Sequence, residues 1–574
     1  MQKRWFIKDN INTNLIEELT STFKVSSFIA RLLAQRKLTS EPEIRSFFNS
    51  STDQLHDPFL MHHMREAVLL LDETIKAKKR ILIYGDYDVD GTTAVALVYK
   101  LLSRYADVSY YIPDRYEEGY GLSFKGVQYA LDNGFDLLIT LDCGIKELEK
   151  IAFARANNLE VIVCDHHTPG PVLPDCIVLD PKKSMCNYPF KDLCGCGVGF
   201  KMLHAWLMHR NESTDFLFSN LDFVAVAIGA DIVSVTGENR ILCKEGLRIL
   251  NENKRIGFRF LVEQAKRSFP LDLSAVVFSI APRINAAGRL KSGARAVELL
   301  LSENEEIAKA IALEIEDYNT ERRSLDASIT QQALEQIAEI SDYDQRASTV
   351  VYRDDWNKGV VGIVASRLIE KHYRPTIVLT KSNGHAVGSA RSIPGFSIYN
   401  ALEACSENLT QFGGHDFAAG LTLPVDQVDN FYNAFDSYVQ KTLKKEHFVE
   451  ELQIDAEISF ADLFVQGESV QALPRSFEFI SKMEPFGPAN DKPVFCIKNV
   501  YATNQKLLKE LHLKFDIIDT SSNIQLPAIG FNMPEYESLI ASGCSFDCAF
   551  TLEKNVWNNR ATLQLQVRDI RPSF

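Results

Sequence analysis

The chain has 574 residues, 46% of them hydrophobic and 24% charged, the composition of a globular protein with room for three or four cored domains. Its formal net charge of −14 excludes a general nucleic-acid coat but leaves room for a local basic groove. No stretch reaches membrane-spanning length, and Met1-Gln2-Lys3-Arg4-Trp5-Phe6 lacks the apolar run of a signal peptide, so no membrane is expected. The eleven cysteines, many inside apolar runs, read as reduced core thiols of a cytoplasmic protein. Cys194-x-Cys196 and Cys544-x3-Cys548 have no second ligand pair, which speaks against zinc.

Residues 1–60 read as a helical segment, with apolar spacing through Val25, Phe28, Ile29, Leu32 and Leu33. A further amphipathic helix over 65–79 leads into the stretch on which the chain turns, Arg80-Ile81-Leu82-Ile83-Tyr84-Gly85-Asp86-Tyr87-Asp88-Val89-Asp90-Gly91-Thr92-Thr93. A buried strand ends there in three aspartates at every second position. Gly91 is expected to permit a sharp turn, and Thr92 or Thr93 to cap the helix that follows. Crowded carboxylates repel one another, so a hard divalent cation is expected among them. An EF-hand does not fit: its twelfth position would be Leu97, and a strand precedes the loop where a helix belongs. Taken alone, the segment is also compatible with a solvated acidic turn.

From 80 to 235 strand-like and helical runs alternate, the pattern of a doubly wound parallel sheet. The strands fall at Ile81–Tyr84, Val108–Ile112, Leu137–Leu141, Val161–Cys164 and Ile177–Leu179. Such sheets bind ligands at the carboxyl ends of their strands. Successive tips deliver Asp86, Asp88, Asp90, Asp142, Asp165, His166 and His167 to one edge, and Asp231 sits in an otherwise apolar helix. Oxygen donors with a pair of imidazoles suit two Mn²⁺ or Mg²⁺ ions better than zinc.

Asp88-x-Asp90-Gly91, Asp142 and Asp165-His166-His167 resemble the motifs of the DHH phosphoesterase superfamily. Gly85–Gly91, Gly119-Tyr120-Gly121-Leu122, Gly197-Val198-Gly199-Phe200-Lys201 and Ala281-Pro282-Arg283-Ile284-Asn285-Ala286-Ala287-Gly288-Arg289-Leu290 resemble, in order, those of its RecJ family of single-strand-specific DNA exonucleases. The resemblance implies that Asp90, Asp142, His166 and Asp231 ligate one metal, with Asp142 bridging to a second held by Asp88 and Asp86. It further implies that His167 faces the scissile phosphate and that Asp165 orients the imidazoles.

Residues 303–346 read as one or two long, largely exposed linking helices; a coiled-coil partner helix is the alternative, but the heptads are irregular. A second α/β unit follows over 347–447, with Gly388-Ser389-Ala390-Arg391-Ser392 and Phe412-Gly413-Gly414-His415. Gly-rich turns beside Ser and Arg offer amides and a guanidinium to phosphate oxygens, although each alone is also an ordinary tight turn. The resemblance makes this a DHHA1 domain with Ser389, Arg391, Gly413, Gly414 and His415 on the substrate, and adds Arg115, Arg283, Asn285 and Arg289 from the first domain. Asn357 stands where the family leads one to expect His, and Asp114 where it leads one to expect Asn. Residues 448–574 alternate in short runs, Leu511–Ile518, Ile524–Phe531, Cys548–Leu552 and Ala561–Val567, that suggest a small barrel, by resemblance an OB fold.

The expected class is therefore α/β: a parallel-sheet DHH domain over 61–302, the linking helices, a DHHA1 domain, and a C-terminal OB barrel. The implied activity is metal-dependent 5′-to-3′ hydrolysis of single-stranded DNA in repair and recombination, with a helicase or single-strand-binding protein as partner. Two other readings stand beside it. One is a phosphodiesterase for nanoRNA or a cyclic dinucleotide, against which the barrel argues. The other is an inactive single-strand-binding scaffold, against which the full set of ligands argues.

Overall fold

A computed structural model describes residues 3–8, 11–465, 467–558 and 560–573. The chain forms two compact units. The larger holds Ser51–Phe448 with Gly487–Ala489; the smaller gathers the residues up to Ser50, Val449–Phe486 and those from Asn490 onward.

In the larger unit a parallel sheet runs in the order Val108–Tyr111, Ile81–Gly85, Leu137–Leu141, Glu160–Cys164, Ile177–Leu179. Ile81–Gly85 and Leu137–Leu141 are buried at every position, because each face of the sheet carries its own core. The two-residue period deals their side chains alternately: Ile81, Ile83, Leu137 and Ile139 enter one core, Leu82, Tyr84 and Leu138 the other. Ile81 pairs with Val108 on one side and Leu137 on the other, so the strand order reverses at the aspartate strand. A crevice opens at such a reversal, at the carboxyl ends of the strands.

A single helix of 35 residues, Glu305–Glu339, spans about 50 Å. The expectation of a largely exposed linker needs correcting. Ala308, Ile311, Ala312 and Ile315 pack into the first core, while Ile329, Ala333 and Ile337 join the core of the second lobe, so one face is buried at both ends. That lobe carries a sheet in the order Gln411–Gly414, Ala418–Pro424, His385–Arg391, Thr376–Ser382, Thr349–Arg353, parallel only in its last pair.

In the smaller unit Phe495–Leu508, His512–Asp519, Ile524–Gly530, Arg560–Pro572 and Phe546–Trp557 close into a five-stranded barrel, because the last strand pairs back with the first. The helix Ser27–Gln35 adds Phe28, Ile29, Leu32 and Leu33 to the barrel's core. Sequence spacing gives no strand before residue 60, yet Arg4–Ile7 pairs in parallel with Glu451–Ile454. Four residues are too few for alternation to register, and the partner strand supplies the order.

All eleven cysteines are unpaired thiols; nine are buried, Cys176 is half-buried and Cys544 is exposed. Among the described residues no helix is long and apolar enough to cross a membrane.

Candidate active site

The strand Ile81–Gly85 delivers Asp86 into the core, fully buried, and the helix Val89–Leu102 starts immediately after it. Its cap is Asp88, whose carboxylate accepts the Gly91 amide at 3.0 Å, not Thr92 or Thr93. Those hydroxyls instead donate back to the carbonyls of Asp88 and Val89 at 2.6 Å. Nor does Gly91 form a turn. It lies in the first helical turn, where a Cβ would stand 2.3 Å from the Asp86 carbonyl oxygen, and so lets the helix seat against the strand end.

Asp90 is held at both oxygens. The amides of Gly195 and Cys196, the first of the helix Gly195–Arg210, donate to Oδ2 at 2.6 Å and Oδ1 at 2.7 Å. These orphan amides and the positive end of the helix dipole suit a carboxylate. From the neighbouring strand tip comes Asp142, with left-handed backbone at φ 60°. That conformation is uncommon outside glycine and recurs at functional sites.

His166 sits where these elements converge. Its Nε2 lies 3.1 Å from Asp142 Oδ1, 3.4 Å from Asp231 Oδ2 and 3.7 Å from Asp90 Oδ2. Asp231 arrives from the C-terminal end of the helix Leu221–Ala230. Burial, then His167's positive charge, pushes the His166 imidazole down to about 3, so it is a neutral lone-pair donor. Burial, then Asp88, raises Asp90 to about 7; burial, then Asp90 and Asp88, raises Asp231 to about 8; burial, then Asp90, raises Asp142 strongly. Buried carboxylates that also raise one another are suited to sharing a cation. Asp142 Oδ1 and His166 Nε2 are moreover buried without a hydrogen-bond partner among the described residues. Two donor groups, Asp142–His166–His167 and Asp90–His166–Asp231, each bring their ligand atoms within 4.8 Å of one another. An oxygen-rich set with one neutral imidazole fits Mn²⁺ or Mg²⁺.

Asp165 does not join the ligands. It accepts the amides of His166 (2.7 Å), His167 (3.1 Å) and Ile145 (2.9 Å), and its Oδ1 lies 2.7 Å from His167 Nδ1. Burial alone would raise its carboxyl, but His167 and these amides outweigh that and hold it far below the ordinary range. Burial works against His167's charge too, and Asp165 overcomes it, raising the imidazole to about 9. Tyr120, whose motif is visible in the sequence but suggests no role there, places its hydroxyl 2.9 Å from His167 Nε2. The Gly195 and Cys196 amides are likewise missed by sequence reasoning. The signal was Gly195-x-Gly197 opening a helix, legible only once the helix start was fixed.

Arg115, Arg289 and Arg391 gather between the two lobes of this unit. Burial first, then Arg115 and Arg391, lowers Arg289 to about 10, and burial followed by Arg115 lowers Arg391. Arg391 donates to Ser389 Oγ (2.7 Å) and the Ala390 carbonyl (2.8 Å), and Arg289 to the Gly359 carbonyl (3.1 Å). Arg115 lies over the Tyr87 ring. Among the described residues none of the three has a carboxylate partner. Arg115 is nonetheless close enough for its charge to act on Asp86, and clustered guanidiniums outside ion pairs are chemically suited to phosphate oxygens. Asn285 lies one turn before Arg289 on the same helix face and has no hydrogen-bond partner among the described residues. Arg283 is not brought there: it is buried, paired with Glu316 at 2.6 Å and bonded to the Ser279 carbonyl. Gly413, Gly414 and His415 are exposed at an edge strand. Burial, then Lys146, His167 and Lys182, lowers the His415 imidazole, so it shares His167's surroundings.

Family models for the DHH family N-terminal domain, the DHHA1 domain and the RecJ OB domain match residues 80–228, 345–441 and 454–569. The single-stranded-DNA-specific exonuclease RecJ of Bacillus subtilis is 35% identical over 573 residues, covering 99% of this chain and 70% of that protein. RecJ of Dickeya dadantii is 32% identical over 95% of this chain and 96% of its own length. The crystal structure of RecJ in complex with Mn²⁺ from Thermus thermophilus superposes with a TM-score of 0.84 at 27% identity, covering all of this chain and 80% of that one.

Proposed function

The chain belongs to the RecJ family, and on that premise we propose that it is a metal-dependent exonuclease hydrolysing single-stranded DNA from the 5′ end, in DNA repair and recombination. The observation that carries this reading is the pairing of an acidic cluster built round His166 with three clustered arginines that have no ion-paired carboxylate among the described residues. Asp90, Asp142, His166 and Asp231 would hold one ion, and Asp86, Asp88 and Asp142 a second. Mn²⁺ or Mg²⁺ there supplies a Lewis acid for the phosphate oxygens and a water of lowered pKa.

The chain's own groups do the rest. The helix start at Gly195 fixes Asp90. Asp165 holds His167 so that its imidazolium can donate to a phosphate oxygen at the scissile bond. Arg115, Arg289, Arg391 and Ser389 take the terminal phosphate, which carries more charge than an internal diester, and so set how far the strand end lies from the acidic cluster. The single-strand partner is accompanied in this reading by a helicase or single-strand-binding protein, in the reducing cytoplasm that eleven free thiols suit. A phosphodiesterase for very short substrates would need no barrel.

Digestion of 5′- and 3′-labelled single strands, a blunt duplex and RNA with Mn²⁺ or Mg²⁺ tests the activity and its polarity. Products released from the 3′ label, or equal attack on duplex, would overturn it. Arg391→Ala should slow 5′-phosphorylated strands about tenfold or more and 5′-hydroxyl strands much less. Equal slowing would place the end pocket elsewhere.

A further inference from the structure

Immediately after Asp231 the chain does something costly. Ile232 has φ 58°, and among the described residues it is the one β-branched residue with left-handed backbone. It stands just past the end of the helix Leu221–Ala230, a position that ordinarily goes to glycine or asparagine. A branched Cβ crowds its own carbonyl there, so the conformation is strained. Nothing in the fold repays the strain through burial, because the side chain is 69% exposed. Its neighbour Asp231 lies 3.4 Å from His166, at the heart of the ligand cluster. A strained backbone thus holds an apolar, water-exposed side chain beside the atoms where a phosphodiester would react.

We propose that Ile232 is a substrate-contacting residue that packs on the base of the nucleotide being cleaved. This rests on the exonuclease reading above. Apolar contact with a base face needs no sequence-specific hydrogen bonds, as suits an enzyme that must accept every nucleotide in turn. The strand must place each base against the same surface, and contact with DNA would supply the burial that the free protein does not.

Two variants that tolerate left-handed backbone, Ile232→Gly and Ile232→Asn, test it against strands carrying either a normal or an abasic nucleotide at the scissile position. Both variants should fold, and Ile232→Gly should melt no lower than wild type because it relieves strain without losing packing. Mn²⁺ affinity by calorimetry should be unchanged. KM on the normal strand should rise about tenfold, the order expected when a half-covered isoleucine loses its partner. On the abasic strand wild type and variants should converge. An unchanged KM, an equal defect on abasic and normal strands, a lower melting temperature for Ile232→Gly, or weaker Mn²⁺ binding would each overturn the proposal. The first two would show no contact with the base, the third a packing role, and the fourth an effect exerted through Asp231. Wild-type protein that fails to degrade the normal strand would instead overturn the activity on which the proposal rests.

Discussion

Replacing Gly195 with alanine tests the architecture of the ligand cluster. Gly195 is the first residue of a helix, and alanine is the better helix former by at most about 1 kcal/mol, the value for a helix interior, so in open space the variant would be no less stable. Here the new methyl would stand 2.6 Å from Asp142 Cβ, 2.8 Å from its Cα and 2.8 Å from its Oδ1. Two of those atoms are too close to the backbone for a rotamer change to relieve the clash. Either Asp142 moves, or the helix start retracts and draws the Gly195 and Cys196 amides away from Asp90. Overpacking of this kind costs about 1–3 kcal/mol, more than the helix gains. Each hydrogen bond to a charged carboxylate is worth about 1.5–3 kcal/mol, so partial loss of the pair should weaken metal binding roughly 10- to 100-fold. Calorimetric titration with Mn²⁺, a thermal melt of the metal-free protein and single-strand turnover against Mn²⁺ concentration would measure all three effects. Wild-type Mn²⁺ affinity in a variant that melts at or above wild type would refute the reasoning.

Asp142→Asn should leave the fold intact, since asparagine tolerates left-handed backbone, yet reduce turnover by at least about 100-fold because one proposed ligand serves both ions; near-normal turnover would exclude a bridging role. Mn²⁺ should raise the melting temperature by relieving repulsion among Asp86, Asp90, Asp142 and Asp231, and a chelator should reverse the rise and abolish hydrolysis; a melt indifferent to both would count against the ion sites. Away from the site, burial and then Lys201 lower the His204 imidazole to about 4, with the Phe200 ring tilted against it and the Phe218 ring edge-on. The unfolded chain therefore takes up its proton near pH 6.5 and the folded one only near 4, so stability is lost as pH falls through that window, by up to about 3 kcal/mol. His204→Phe should flatten this part of the acid limb in denaturant titrations, and an unchanged slope would show that other groups set it.

The parallel sheet was legible in the sequence because its strands are buried on both faces and stand out as unbroken apolar runs. Asp86, Asp88, Asp90, Asp142, His166 and His167 follow those runs directly, so reading what came after each strand found them. Asp231 was visible as a charge in an apolar helix. The expected cap at Thr92 or Thr93 falls one turn too late: the helix already starts at Val89, so Asp88 caps it and both threonine hydroxyls donate back to carbonyls of the first turn. Arg283 and Arg289 share one motif and cannot be told apart by type: one meets Glu316 from the long helix, while the other meets two further arginines. Such distinctions depend on which distant residue arrives opposite, information that spacing along the chain does not carry.

The parallel pairing of Arg4–Ile7 with Glu451–Ile454 has a consequence in time. Paired residues of the two strands lie 447 positions apart in the chain. At a synthesis rate of about 5–20 residues per second, the first strand emerges roughly 20–90 s before its partner exists. During that interval the helix Ser27–Gln35 also lacks the barrel against which Phe28, Ile29, Leu32 and Leu33 pack, and the larger unit, nearly contiguous in sequence, has time to fold first. The nascent chain thus emerges with its amino terminus unsatisfied. Ribosome-bound chains arrested before residue 449 should show the first fifty residues exchanging amide hydrogens freely, and protection there should appear only when the barrel is complete.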